Sequence, residues 1–211
     1  MNEQSYDDLL ALCQKRRSTR SFSEKPLSAG QIEKIKAVAM TSPYASGRKN
    51  WEVITVTEKE TIAKMAEVVD TRVKILAEAL RNDVADDFIR YAKNFSIFRE
   101  APAIFIPAFR NAPLFSLMLK GGSGGKEPSI NETTEANETS IWERDNYVKS
   151  ISCVSMLVLL ATESLGLASC YMTGPLIAEK ELGALIPLKP GYSIGALIPV
   201  GHTRAAPDAG E

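Results

Sequence analysis

A single histidine, His202, stands in 211 residues. Multi-histidine metal sites are therefore excluded, and a Cys-His or Ser-His hydrolase could be assembled only around that one side chain. Cysteine is scarce as well. Cys13, Cys153 and Cys170 are an odd number without metal-ligand spacing, each in an apolar context, and they read as buried structural thiols rather than a redox pair. A surplus of charge is missing too: 25 Lys and Arg against 26 Asp and Glu leave a net charge of -1, so no global field draws nucleic acid or an anionic membrane. The stretch Met1 to Asp8 is polar and acidic, without the basic-then-apolar pattern of a leader, which predicts a cytoplasmic location. The sequons at Asn131 and Asn137 then carry no weight. Neither a GxGxxG fingerprint after a strand nor a GxxxxGK[ST] loop occurs, so Rossmann and P-loop nucleotide binding are both disfavoured. With so little side-chain machinery available, any chemistry is expected to come from a bound cofactor.

What is present suits one domain with one substantial core, 45% of the residues being hydrophobic. Tyr6, Leu9, Leu10 and Cys13 recur at the spacing of one helix face. Ser28 with Gln31 forms a capping box that opens a second helix, ended by Ser42-Pro43. Trp51 to Thr57 reads as a strand, Glu58 to Phe98 as two or three helices, and Ala103 to Ala108 as a buried strand. Lys120 to Ser140, glycine-rich and polar, is expected to be a flexible loop within the domain, serving as a lid or binding element, or else a disordered segment, with Gly121 to Gly125 as a flexible hinge. Trp142 is expected to open the longest helix, through about Ser164, apolar nearly all round from Ile151 to Ala161. Such a helix is buried on every side, in a core or a subunit interface, and its apolar part is too short for a bilayer. A short strand near Ala168 to Met172, the turn Thr173-Gly174-Pro175, a helix from Ala178 and a final strand Ser193 to Val200 complete the chain. Strands separated by long helices indicate an α+β or α/β domain.

The densest chemistry lies in Arg16-Arg17-Ser18-Thr19-Arg20-Ser21-Phe22, where three guanidiniums and three hydroxyls crowd into seven residues. Guanidinium forks match the oxygens of a phosphate monoester well. A blander role is available: basic residues after a helix complement its macrodipole, for about 0.3 to 1 kcal/mol each.

Four stretches, in this order and spacing, resemble the nitroreductase family of FMN-dependent oxidoreductases. They are Arg16 to Arg20, the run Ser42-Pro43-Tyr44-Ala45 through Trp51, Arg99-Glu100-Ala101-Pro102, and Leu165 to Cys170 followed by Thr173-Gly174. The resemblance implies an α+β fold with a central, mainly antiparallel sheet flanked by helices, and a homodimer with the long apolar helix at its interface and FMN between the subunits. By the same resemblance Arg16, Ser18 and Arg20 would hold the phosphate and ribityl chain of FMN, with Arg17 at the phosphate or flavin edge. Pro43, Tyr44 and Ala45 would lie against the flavin of the neighbouring subunit. Thr173 and Gly174 would aim a backbone N–H at flavin N5, where glycine permits close approach or positive φ. Asn94 would meet the pyrimidine edge, and Arg204 would be the basic residue left to close over the phosphate. The family often has asparagine at the position of Gly47 and glutamine-proline at Lys49-Asn50, so this chain departs there.

The implied activity is ping-pong electron transfer from NADH or NADPH to a small-molecule acceptor such as a nitroaromatic or quinone. No protein acid, base or nucleophile is required, and neither nucleic acid nor membrane is a partner. Phe109, Phe115, Met118 and Trp142 are candidates to line the acceptor groove, or else ordinary packing. Three other readings remain open at this point. A specialised branch of the same fold would carry out dehalogenation, flavin fragmentation or dehydrogenation; a non-catalytic dimer would store or sense flavin; a helical interaction protein would leave its arginines solvated.

Overall fold

The computed structural model describes residues 3–45, 50–110, 114–120 and 130–204. Alternation of side chains decides how its layers stack. In β2 (Ala103–Arg110), Ile104, Ile106 and Ala108 turn to one face while Ala103, Phe105 and Phe109 turn to the other, and all six are buried. β1 (Trp51–Val56) repeats the pattern, with Ile54 and Val56 on the first face and Trp51 and Val53 on the second. A sheet apolar on both faces must be covered on both. The first face is covered by α3 (Lys59–Ala79), α4 (Asn82–Ala92) and α7 (Glu179–Leu185), through Met65, Val69, Ala92 and Leu182. The second is covered by α2 (Ala29–Ala39) and α6 (Ile130–Ser164), through Ile35, Ala39, Ile151, Val154 and Val158. The expected capping box sets the start of α2: Ser28 Oγ accepts from Gln31 N at 3.2 Å, and Gln31 Oε1 accepts from Ser28 N at 2.9 Å.

The strand order is β1-β2-β5-β3, where β5 is Ile198–Gly201 and β3 is Ala168–Ser169, with β4 (Tyr192–Ile194) also beside β2. Every strand pairing is antiparallel, so the chain has the α+β architecture expected: an antiparallel sheet between helical layers. α1 (Glu3–Lys15) and α5 (Leu114–Lys120) lie outside this sandwich.

Several local expectations need correction. The final strand is two strands: between the pairs Phe105↔Ile198 and Ala108↔Ile194, β2 spends two residues where the opposing chain spends three. Pro107 sits there and has no N–H for the ladder; its carbonyl accepts from Gly195 N at 2.7 Å across the resulting bulge. β3 is shorter than Ala168 to Met172, and Met172 reaches only an isolated bridge to Leu197. The long helix begins at Ile130, so Ile130 to Ser140 is helical rather than loop; the Gly121 to Gly125 hinge falls outside the described residues. Its apolar stretch is not buried all round either. Ser152, Cys153 and Met156 are exposed while Ile151, Val154 and Val158 pack on the sheet. Thr134–Ser164 does reach the length and apolarity of a membrane span, but its buried side is the core of the second layer. Of the three thiols only Cys170 is buried; Cys13 and Cys153 are exposed.

Candidate functional site

The segment after α1 is held by backbone, which frees its side chains. Ser18 bridges Ser169 of β3, Thr19 N donates to Ser169 O at 2.9 Å, and Ser23 N donates to His202 O at 2.9 Å. Phe22, fully buried, nails the segment to the sheet edge between these contacts. Arg16 and Arg20 are carried there without a carboxylate partner: neither forms an ion pair among the described residues. Both act on Cys170, whose thiol is pushed up by burial while Arg20, the Ser18 side chain and Arg16 pull the other way. Arg16, Ser18 and Arg20 are thus all within electrostatic reach of Cys170, just past the end of β3. Arg17 does not join them. Its guanidinium turns back to the carbonyls of Gln14 and Arg16, the latter at 3.1 Å, so it caps α1 as the helix-dipole role requires.

Arg20 also lines a cavity of about 200 Å³ with Lys93, Ser96, Ile97, Arg99 and Glu100. Two of those charges are already matched, Arg99 by Asp70 at 2.6 Å and Glu100 by Arg204 at 3.4 Å. Arg20 and Lys93 are left as the unmatched cations of the cavity. Arg204 is therefore close to this corner but engaged by Glu100, and it lines a neighbouring groove of about 340 Å³ with Arg99, Glu100 and Lys59. Lys93 and Ser96 line this cavity without having been singled out in the sequence, and Glu100 was read there only as part of the Arg99-Glu100-Ala101-Pro102 stretch. Lys93 adjoins Asn94, and a basic residue closing α4 was the available cue.

Asn94 and Gly174 meet through the residue between them in space, Phe95. Asn94 itself is exposed just beyond α4. Phe95 packs edge-on against Tyr91, with ring centroids 5.3 Å apart, and lies over Gly174, where an added Cβ would stand 2.4 Å from two ring carbons. The glycine is needed for that approach and not for its dihedrals, since the positive-φ glycines are Gly166 and Gly191. Thr173 precedes a short 3₁₀ turn, Gly174–Ala178, that leads into α7. Gly174→Ala is expected to cost about 1 to 3 kcal/mol through overpacking, seen as a fall of several degrees in Tm. Phe95→Leu in the same background should recover part of that loss by calorimetry, because the two sites touch; an unchanged Tm for Gly174→Ala would refute the contact.

Pro43, Tyr44 and Ala45 sit elsewhere. Tyr44 stacks between Trp51 (5.7 Å, 25°) and Tyr147 of α6 (6.3 Å, 23°), and Ala45 N donates to Ser150 Oγ at 3.1 Å. Burial first, then the neighbouring Tyr147 and Tyr192 phenols, push the Tyr44 hydroxyl far up its titration range, so it remains a donor. That hydroxyl and the Trp51 indole nitrogen are buried with no hydrogen-bond partner among the described residues. Trp51 pairs with Phe109 at one end of β2, whereas Ser169 pairs with Val200, which pairs with Ala103 at the other end. Six residues along the strand and three strand spacings across place the Tyr44 and Arg16–Arg20 sets about 25 Å apart, at opposite corners of the sheet. Among the groove candidates, Phe109 is core, while Phe115, Met118 and Trp142 are exposed.

The unpaired cations of this corner suit the phosphorylated tail of a cofactor such as FMN, while the close approach that Gly174 permits is taken up by the Phe95 ring. The sequence model of the Nitroreductase family matches residues 13–202. The chain is 25% identical over 188 residues to the iodotyrosine deiodinase of Nematostella vectensis, covering 89% of this chain and 64% of that protein. Its alignments span 35% and 64% of the lengths of the two curated relatives it matches. A BluB-like flavoprotein from Clostridium difficile superposes with a TM-score of 0.76 at 19% identity, covering 96% of this chain and 93% of that one. A nitroreductase with bound FMN from Desulfitobacterium hafniense superposes with a TM-score of 0.65 at 20% identity, covering 98% and 92%. By the extent of that family match, and with the fold to go with it, this chain belongs to the nitroreductase family.

Proposed function

We propose that the chain is a cytoplasmic, FMN-dependent oxidoreductase that passes reducing equivalents from NADH or NADPH to a small oxidised acceptor, a nitroaromatic or a quinone, and works as a homodimer. The observation that carries this reading is the pair of guanidiniums, Arg16 and Arg20, without carboxylate partners among the described residues, on a segment that Ser18 ties to Ser169 of β3. Unpaired cations on a backbone-anchored segment have no carboxylate to give up before they meet a dianionic phosphate, though their side chains must still be ordered on binding. Lys93 and Ser96 add donors along the wall toward Asn94, and Thr173-Gly174 supplies backbone at the ring end. FMN, when bound, supplies the hydride and electron chemistry. The protein's share is to bind, orient and exclude water. Cys170 serves as a neutral floor, its thiol pushed up by burial and so poorly suited to act as a nucleophile.

The dimer is supported by two surfaces that lack a partner within one chain. α1 has no buried residue at all, and Tyr6, Leu9 and Leu10 on it are exposed. Met156 and Cys153 on α6 are exposed in the same way. A second copy would cover these and would bring its Pro43–Ala45 corner to the first copy's arginines, joining the two contact sets that one chain keeps apart. A dehalogenating branch is the second reading, favoured by the likeness to iodotyrosine deiodinase along 89% of this chain.

An absorbance spectrum of the purified protein is expected to show flavin bands, and NADH or NADPH under anaerobic conditions to bleach them. Reoxidation by a quinone or nitroaromatic then favours the first reading, and reoxidation with halide release from a halophenol favours the second. A colourless protein that takes up no added FMN would overturn both.

A further inference from the structure

Away from the arginine corner, α6 carries a buried carboxylate. Glu143 on α6 is 4% exposed, and both of its oxygens are spent on the first turn of α5. Phe115 N donates to Oε1 at 2.8 Å; Ser116 N donates to Oε2 at 3.2 Å, and Ser116 Oγ donates to the same oxygen at 2.8 Å. The first N–H groups of a helix have no partner inside it, so here a neighbouring helix supplies the cap. α5 spans seven residues, well below the roughly 12 to 15 at which an isolated helix becomes even marginal in water. Its existence depends on this docking.

Where α5 is docked gives the contact a consequence. Glu143, Tyr147 and Ser150 fall at i, i+4 and i+7 along one stripe of α6; the first holds α5, the second stacks on Tyr44, and the third accepts from Ala45 N. α5 therefore begins one helical turn, about 6 Å along the axis, from the Pro43–Ala45 segment. Ser116 is the side of α5 that turns inward. Phe115, Leu117 and Met118 face outward, each more than half exposed, and Phe115 meets exposed Trp142 with ring centroids 6.4 Å apart. None of these side chains carries a charge, so a charged substituent resting on them would lose hydration without gaining a partner.

We infer that Glu143 is a positioning residue: it holds α5 beside the Pro43–Ala45 segment, and α5 so held selects an uncharged, apolar, aromatic acceptor over a charged one. This rests on the function proposed above. In the reaction, NADH gives a hydride and solvent a proton, and a quinone gaining those two electrons and two protons leaves as its hydroquinone.

The test compares 1,4-naphthoquinone with 1,4-naphthoquinone-2-sulfonate, which carries one added charge, on the flavin-loaded protein. Wild type should show a kcat/KM at least tenfold higher for the neutral quinone. Glu143→Ala should reduce that preference to less than threefold, through a higher KM for the neutral quinone, with the FMN Kd unchanged. Glu143→Gln, which keeps one accepting oxygen, should fall between. Hydrogen exchange at the Phe115 and Ser116 amides should accelerate at least tenfold in Glu143→Ala, a readout that needs no flavin. Leu117→Lys, on the outward side, should shift preference toward the sulfonate even if Glu143→Ala fails to fold. Unchanged exchange in a folded Glu143→Ala protein overturns the positioning role. Equal kcat/KM for the two quinones in wild type, or no shift in Leu117→Lys, overturns the selectivity. A protein that binds no flavin defeats the proposed function, and with it the selectivity, while the exchange measurement still decides the role of Glu143.

Discussion

Arg16→Ala with Arg20→Ala is expected to raise the FMN dissociation constant by about two to four decades, because each charge-assisted contact to a phosphate contributes about 1.5 to 3 kcal/mol and each 1.4 kcal/mol is tenfold. The loss is expected without unfolding. The segment that carries both arginines is fixed by Phe22 and by backbone bonds to Ser169 and His202, and the two guanidiniums enter no ion pair among the described residues. Removing them leaves no carboxylate stranded, which is the usual route by which a lost arginine destabilises a fold. Flavin fluorescence titration gives the affinity and calorimetry gives the Tm. An FMN affinity within threefold of wild type, in a double variant of unchanged Tm, would remove the phosphate role from this corner.

Leu9→Glu with Leu10→Glu should convert the protein from dimer to monomer and release flavin at the same time. Both side chains are exposed on a helix with no buried residue of its own. If a second copy covers them, each contributes about 1.5 to 3 kcal/mol of association free energy, and two buried carboxylates would cost more still. The dimer dissociation constant should therefore rise by at least two decades, as measured by sedimentation velocity. Flavin loss should track dissociation, because one chain holds the arginine corner and the Pro43–Ala45 corner about 25 Å apart. A wild-type protein that sediments at the monomer mass of 23.0 kDa while retaining flavin would end this argument.

Some features were legible because they rest on local rules. The capping box of Ser28 and Gln31, the two-faced strand around Phe105 and the helix face of Tyr6, Leu9, Leu10 and Cys13 each follow from residue spacing that a few neighbouring side chains express alone. Other features failed where a distant partner decides the outcome. Ile130 to Ser140 looks like loop by composition, yet it continues α6, a run to which α5 packs through Glu143. The final strand looks continuous, yet Pro107 on the opposing strand breaks it at Gly195. Within the candidate site, Arg16, Arg17, Ser18 and Arg20 read alike as one basic run, and nothing in their spacing set Arg17 apart. Arg17 is withdrawn by the carbonyls of Gln14 and Arg16 at the end of α1, which accept from its guanidinium.

The sequence by itself excluded a multi-histidine metal site, since it holds one histidine, and it put three arginines within five residues just after the first helix. It also determined the sheet-and-helix alternation, because periodicities of two and of 3.6 are properties of the chain. Only the tertiary structure decided which cations remain unmatched: Arg99 and Arg204 are neutralised by Asp70 and Glu100, while Arg16 and Arg20 are not. Only it decided that Gly174 makes room for a phenyl ring and that Tyr44 lies at the far corner from the arginines. The reason is physical. Pairing, burial and distance are relations between residues remote in the chain, and charge matching in particular depends on which carboxylate the fold brings within 4 Å.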